Sequence, residues 1–186
     1  LEIARWGNAQ WHDLAGGTDP YVKLTAFLGP PTGSGLGVGL YVGGDFTFAG
    51  GIRVNGVARW DGTDWHALGT GLSSVCGGGA GAKAIARYDD DGPGPRPVGA
   101  YVGGYFDFAG GGAADNIARW DGVSWETVGK GLPSGVQALC TYDSDGSGPE
   151  PRALYAGGSF WSAASPVRYI ARWDGLSWAP VGSGTS

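Results

Sequence analysis

Basic side chains are scarce in this chain: three lysines and nine arginines stand against 17 acidic residues, giving a net charge of −5 and a pI near 4.8. No basic stripe is left to neutralise phosphates, which argues against nucleic acid as a partner. Long apolar runs are missing too, so nothing approaches the roughly 20 residues of a membrane span, and no charged-then-apolar leader opens the sequence. These absences lead us to expect a soluble chain, already mature or an excerpt of a longer one. Helical periodicity is absent throughout, which leaves strands as the elements to seek.

Glycine is what the chain has in excess, 39 of 186 residues, with 11 prolines beside it. Composition of that kind alone suggests disorder. Nine tryptophans, eight tyrosines and six phenylalanines say otherwise, because large aromatic side chains need burial and disordered chains are poor in them. The glycines therefore serve turns in a folded protein.

Self-similarity decides the architecture. Ile3-Ala4-Arg5-Trp6, Val57-Ala58-Arg59-Trp60, Ile117-Ala118-Arg119-Trp120 and Ile170-Ala171-Arg172-Trp173 are one motif, with tryptophans spaced 54, 60 and 53 residues apart. A second tryptophan follows five residues later each time, at Trp11, Trp65, Trp125 and Trp178. Asp-Gly turns lie between the later pairs and Gly7-Asn8-Ala9-Gln10 in the first, so each motif reads as a hairpin. Upstream of three hairpins stand Leu40-Tyr41-Val42-Gly43-Gly44, Ala100-Tyr101-Val102-Gly103-Gly104 and Leu154-Tyr155-Ala156-Gly157-Gly158, each a strand ending in a Gly doublet. Before these come Ala84 to Tyr88 and Ala138 to Tyr142, with Val22 to Phe27 as the diverged counterpart. Four short strands per repeat of this length are what a β-propeller blade needs.

The order Tyr-Val-Gly-Gly, then Val-Ala-Arg-Trp-Asp-Gly-Thr-Asp-Trp, then Ala-Leu-Gly resembles the kelch repeat over nearly the whole chain. It is also similar to the glycine-rich Ile-Ala-Arg-Trp-Asp-Gly repeats of large bacterial surface or secreted proteins. The expected fold is all-β, a propeller of four-stranded antiparallel blades: residues 1–17 as the C-terminal half of a blade, then blades at 18–72, 73–132 and 133–186. About three and a half blades are fewer than the four to eight of a closed propeller. The rest is expected from a second chain or from the remainder of a parent chain.

Recurring positions are read first as packing, so Trp6, Trp11, Trp60, Trp65, Trp120, Trp125, Trp173 and Trp178 are assigned to the structural repeat. The repeat arginines are expected to stack on tryptophan or to pair with an Asp of a neighbouring blade. His12 and His66 sit on separate repeats with no third ligand at metal spacing, which argues against zinc or copper. Cys76 and Cys140 do not align in the repeat, and two cysteines establish no disulfide. Asp89 and Asp91, and Asp143 and Asp145, lie close together on Gly-rich loops, as calcium ligands do. The plainer reading, a solvated turn in which Asp and Gly suit the backbone, stays open beside it.

The segments between second and third strands vary most, and propellers use that edge for ligands. Phe48, Tyr105, Asp107 and Trp161 are the candidates there, and one aromatic of each pair (Phe46 and Phe48, Phe106 and Phe108, Phe160 and Trp161) is expected to pack inward. No catalytic constellation is recognisable. The expected function is a non-enzymatic scaffold or binding module of an extracellular or cell-surface bacterial protein, holding a protein or carbohydrate. The alternative is part of a catalytic propeller whose active-site residues lie on blades outside this chain.

Overall fold

The computed structural model describes residues 3–19, 21–28, 35–75, 80–90, 96–146, 152–161 and 167–182. The chain opens with β1 (Ala4–Gly7) and β2 (Gln10–Asp13), followed by β3 (Val22–Leu28) and β4 (Gly39–Gly44). Two short strands, β5 (Phe48–Ala49) and β6 (Ile52–Arg53), precede β7 (Val57–Trp60), β8 (Trp65–Ala67) and β9 (Leu72–Ser73). Next come β10 (Gly81–Tyr88), β11 (Gly99–Tyr105), β12 (Phe108–Ala109), β13 (Gly112–Ala113), β14 (Ile117–Trp120) and β15 (Trp125–Thr127). The last are β16 (Val136–Tyr142), β17 (Ala153–Gly158), β18 (Ile170–Trp173) and β19 (Trp178–Pro180).

All pairing is antiparallel, and no helix occurs among the described residues. Three four-stranded sheets carry the fold: sheet I in the order β3-β4-β7-β8, sheet II in the order β10-β11-β14-β15 and sheet III in the order β16-β17-β18-β19. None closes on itself. β1 and β2 pair as a separate ribbon across a two-residue turn in which Asn8 and Ala9 both take positive φ, 52° and 58°, the geometry that matches strand twist. The first strands of the three sheets, β3, β10 and β16, neighbour one another in that order.

Alternation along each strand explains the packing, since successive side chains point to opposite faces. On β11, Ala100 and Val102 join the core shared with Tyr41, Val57, Leu68 and Leu72 of the sheet I segment. Tyr101, between them, joins the core shared with Val136, Leu154, Ala156 and Phe160 of the sheet III segment. Both faces of sheet II are thus covered, which is why its strands read as apolar runs without polar alternation. A third core joins Leu14 and Ile3 of the ribbon to Val42, Phe46, Ala58 and Trp65 of sheet I.

One hydrogen bond recurs at every junction. Trp65 Nε1 donates to the Leu14 carbonyl at 2.7 Å, Trp125 Nε1 to the Leu68 carbonyl at 2.7 Å, and Trp178 Nε1 to the Val128 carbonyl at 3.2 Å. In each case the fourth strand of one sheet ties to the residue after the last strand of the preceding one. Within each sheet the same tryptophan tilts against its partner, with ring centroids 5.4 Å apart for Trp60 and Trp65, 5.3 Å for Trp120 and Trp125, and 5.2 Å for Trp173 and Trp178.

Two of the repeat arginines bond within their own sheet's segment. Arg59 donates to the Val38 carbonyl at 2.7 Å. Arg119, buried, donates to the Pro97 carbonyl and to Glu126 Oε2 of its own sheet. The bonds to the Val38 and Pro97 carbonyls run back to the segment entering the second strand, so each guanidinium satisfies backbone there.

The Asp-Gly turns are built alike. Asp61, Asp121 and Asp174 each accept, through Oδ1, the backbone N–H groups of the residues two and three further on, at 2.7–2.9 Å. Backbone donors hold the Asp61 and Asp174 carboxyls below the usual carboxylate range. At Asp121 partial burial pushes upward, and the Ser124 and Val123 amides outweigh it. A carboxyl with a depressed folded-state pKa contributes stability that is complete above its unfolded value, about 3.9, and is lost as pH falls through the folded value. The melting temperature is therefore expected to drop on acidification below about pH 4. An Asp61→Asn, Asp121→Asn, Asp174→Asn variant keeps the acceptor and should show a flatter profile there in thermal melts. An unchanged profile would place the acid sensitivity elsewhere.

Candidate functional site

Each sheet carries a β-bulge at the start of its first strand, where the register against the second strand shifts between Val22 and Leu24, Ala82 and Ala84, and Val136 and Ala138. The extra residues are Lys23, Lys83 and Gln137. A bulge bends the strand and re-aims the side chain it carries. Beside each bulge ends the second strand of the sheet, and the residue after the Gly doublet is Asp45, Tyr105 or Ser159. Six polar side chains at two equivalent positions thus lie along one edge of the three sheets.

They touch in a relay. Asp45 of sheet I holds Lys23 at 3.0 Å and Lys83 of sheet II at 3.1 Å. Lys83 Nζ lies 6.0 Å from the centroid of the Tyr105 ring. The Tyr105 hydroxyl reaches Ser159 Oγ of sheet III at 3.2 Å, and Gln137 Nε2 donates to Ser159 Oγ at 3.0 Å and to the Tyr105 hydroxyl at 3.3 Å. Asp45 and Tyr105 therefore each meet the bulge residue of the following sheet, and Ser159 meets that of its own.

The electrostatics follow from these contacts. Partial burial alone would raise the Asp45 carboxyl, yet the hydrogen bonds and charges of the two ammonium groups hold it below the ordinary carboxylate value. Asp45 pushes Lys23 up, while burial and the neighbouring Lys23 pull Lys83 down. Hydrogen bonds from Ser159 and Gln137 lower the Tyr105 phenol. Two ammonium groups thus share one carboxylate in a chain whose net charge is −5.

Glycines make the arrangement sterically feasible. A Cβ on Gly81 would overlap the Asp45 carboxylate, and one on Gly135 would overlap the Tyr105 ring. The doublets divide their work. The second glycine, Gly44, Gly104 or Gly158, admits the carbonyl of Tyr21, Gly81 or Gly135 of its own sheet, whereas Gly103 makes room for Val136 of the next sheet.

The loops between second and third strands emerge at this same edge, as do the connections between sheets. Phe46, Phe106 and Phe160 are buried, Phe48, Tyr105 and Trp161 exposed, and Phe108 half-buried. Phe48 pairs with Arg53 in the β5–β6 hairpin, and its amide donates to Asp19 Oδ1 at 2.7 Å. Asp107 accepts from Ser74 Oγ at 2.7 Å and from the Val75 amide at 2.8 Å, pinning the connection from sheet I to its loop. The Ser74 hydroxyl and that amide keep its carboxyl low. Of the sequence candidates, Tyr105 alone stands within the polar relay. Lys23, Asp45, Lys83, Gln137 and Ser159 were missed, although their fixed offset from the Gly doublet and from the first strand is visible once the repeats are aligned.

The acidic loops lie at the opposite edge. Asp89 and Asp143 follow β10 and β16 and are half-buried, Asp145 is exposed, and Asp91 lies outside the described residues. Among the described residues no group of three or more His, Cys, Asp or Glu is placed to hold a metal ion. At this edge Asp90 Oδ2 accepts from Arg96 at 2.5 Å and from the Tyr101 hydroxyl at 2.8 Å. Arg96 also reaches Glu126 at 2.6 Å, so Asp90 belongs to a network that closes on Arg119. Cys140 is an exposed free thiol, and Cys76 lies outside the described residues. No described helix is long and apolar enough to cross a membrane.

Compared with known proteins, the chain matches no family model, no curated protein and no solved structure.

Proposed function

We propose that the chain is an arc of a kelch-like β-propeller, its three four-stranded sheets being successive blades, and that it acts as a non-enzymatic binding module outside the cell or on its surface. The ligand class is carbohydrate. The observation that carries this reading is the relay along one edge, Lys23, Asp45, Lys83, Tyr105, Gln137 and Ser159, flanked by the exposed rings of Phe48 and Trp161. Sugars are recognised by aromatic faces for their C–H surfaces together with amide, hydroxyl and charged groups for their hydroxyls. The three sheets supply both kinds of group without spending any core residue. Repeats stacked this way present variable side chains from an invariant backbone, which is how repeat proteins build binding surfaces.

Titration of the chain with neutral and acidic oligosaccharides by calorimetry tests the proposal. The expected result is saturable binding that falls at least tenfold in Tyr105→Ala and in Gln137→Ala, with unchanged melting curves. Binding that is indifferent to both substitutions would move the site. No binding of any oligosaccharide at millimolar concentration would remove carbohydrate and leave a protein ligand.

A further inference from the structure

The two junctions along the polar edge occupy equivalent positions and differ in chemistry. At the junction of sheets I and II, Asp45 Oδ2 takes Lys23 at 3.0 Å, and the two Asp45 oxygens take Lys83 at 3.1 and 3.4 Å. Both carboxylate oxygens are therefore engaged. Each ammonium carries three N–H donors and no acceptor, and among the described residues Asp45 is the one carboxylate paired with either. What this junction still offers to a ligand is N–H donors alone. The Lys23 side chain is 40% exposed and that of Lys83 21%, so both can be reached from solvent. Burial and the nearby Lys23 hold the Lys83 ammonium below its ordinary value even with Asp45 acting against them. A second anion there would relieve a repulsion that one carboxylate leaves in place.

The junction of sheets II and III is a closed triangle of neutral groups. Gln137 Nε2 donates to Ser159 Oγ and to the Tyr105 hydroxyl, and the two hydroxyls lie 3.2 Å apart. The amide hydrogens are spent within the triangle, and one hydroxyl proton closes its third side. One hydroxyl proton and the Gln137 carbonyl remain, a donor beside an acceptor. A sugar hydroxyl satisfies both. Lys83 links the two junctions, its Nζ 6.0 Å from the centroid of the Tyr105 ring, so a ligand of neighbouring sugar rings meets both.

Resting on the carbohydrate reading above, we infer that the ligand is an acidic oligosaccharide lying along this edge. The carboxylate of a uronic acid sits on Lys23 and Lys83, and hydroxyls of the adjoining ring meet Tyr105, Gln137 and Ser159. The chain's net charge of −5 does not oppose this. Exposed charges farther apart than about 8 Å are largely screened at physiological ionic strength, whereas an ammonium in contact with its anion is not.

Calorimetric titration with galacturonate, glucuronate and mannuronate oligosaccharides, each beside its carboxyl-reduced neutral counterpart, tests the inference. The acidic member is expected to bind about tenfold or more tighter than its neutral counterpart, and the difference should shrink as NaCl rises from about 20 to about 500 mM. Lys83→Gln and Lys23→Gln should each narrow the difference by weakening the acidic member more than the neutral one. Tyr105→Phe should weaken both members alike. Melting curves check that each variant folds, and Lys23→Gln, at the more exposed position, carries the test if Lys83→Gln does not. Equal affinity for acidic and neutral members, or a preference unchanged by the lysine substitutions, would overturn the inference and leave the carbohydrate reading standing. Binding of neither series would overturn both.

Discussion

Replacing Trp65 by alanine is expected to destabilise the chain by about 3–5 kcal/mol, the range for removing a large aromatic from a packed core. For a chain of this length that lowers the melting temperature by roughly 10 °C or more. Trp65 is buried in the core shared by the ribbon and sheet I, and its indole is the donor for the Leu14 carbonyl, itself part of a buried residue. Trp65→Phe separates the two contributions. It keeps most of the ring and removes the donor, so its cost should be about 1–3 kcal/mol, that of leaving a buried carbonyl without its partner. Thermal melts of the two variants check the order. Equal melting of Trp65→Ala and wild type would show that the ribbon is not held to sheet I through this residue.

Gly104→Ala is expected to be damaging for a different reason. The new Cβ would overlap the main-chain carbonyl of Gly81, and Gly104 pairs with Ala82 at the start of the bulge. No rotamer relieves a clash between a Cβ and backbone, so β10 must shift away from β11. Overpacking of this kind costs about 1–3 kcal/mol and sometimes more. The displaced segment carries Lys83, so the variant should lose ligand affinity along with stability. Gly112→Ala is the control: its nearest non-neighbouring atom would be 3.7 Å away and its φ is not positive, so its melting should stay within about 0.5 kcal/mol of wild type. If Gly104→Ala matched that control, the doublet's second glycine would have no steric role.

The strands were legible because their chemistry repeats. Leu40 to Gly44, Ala100 to Gly104 and Leu154 to Gly158 stand out as apolar runs with Gly doublets, and the paired tryptophans mark the hairpins, since packing and turn geometry demand the same residue types each time. β5, β6, β12 and β13 were not legible, being two-residue strands too short to show a period. The relay was hidden for the opposite reason. Asp45, Tyr105 and Ser159 share a backbone position but not a residue type, and Gln137 stands where the other sheets carry Lys23 and Lys83, so register is what joins them. Asp90 was passed over in favour of its neighbours because burial against Tyr101 and Arg96 depends on how the 96–101 segment folds back, which no local pattern encodes.

The tryptophan bonds between sheets all point the same way along the chain. Donor follows acceptor by 51, 57 and 50 residues, so a polypeptide emerging from its N-terminus completes each sheet only after the surface that receives it has been made. Assembly in that order adds units onto a finished template, and each closing strand reports that the unit before it is already in place. Every closure is also confined to neighbours, which keeps the sequence separation of these bonds near one repeat length however many repeats are stacked.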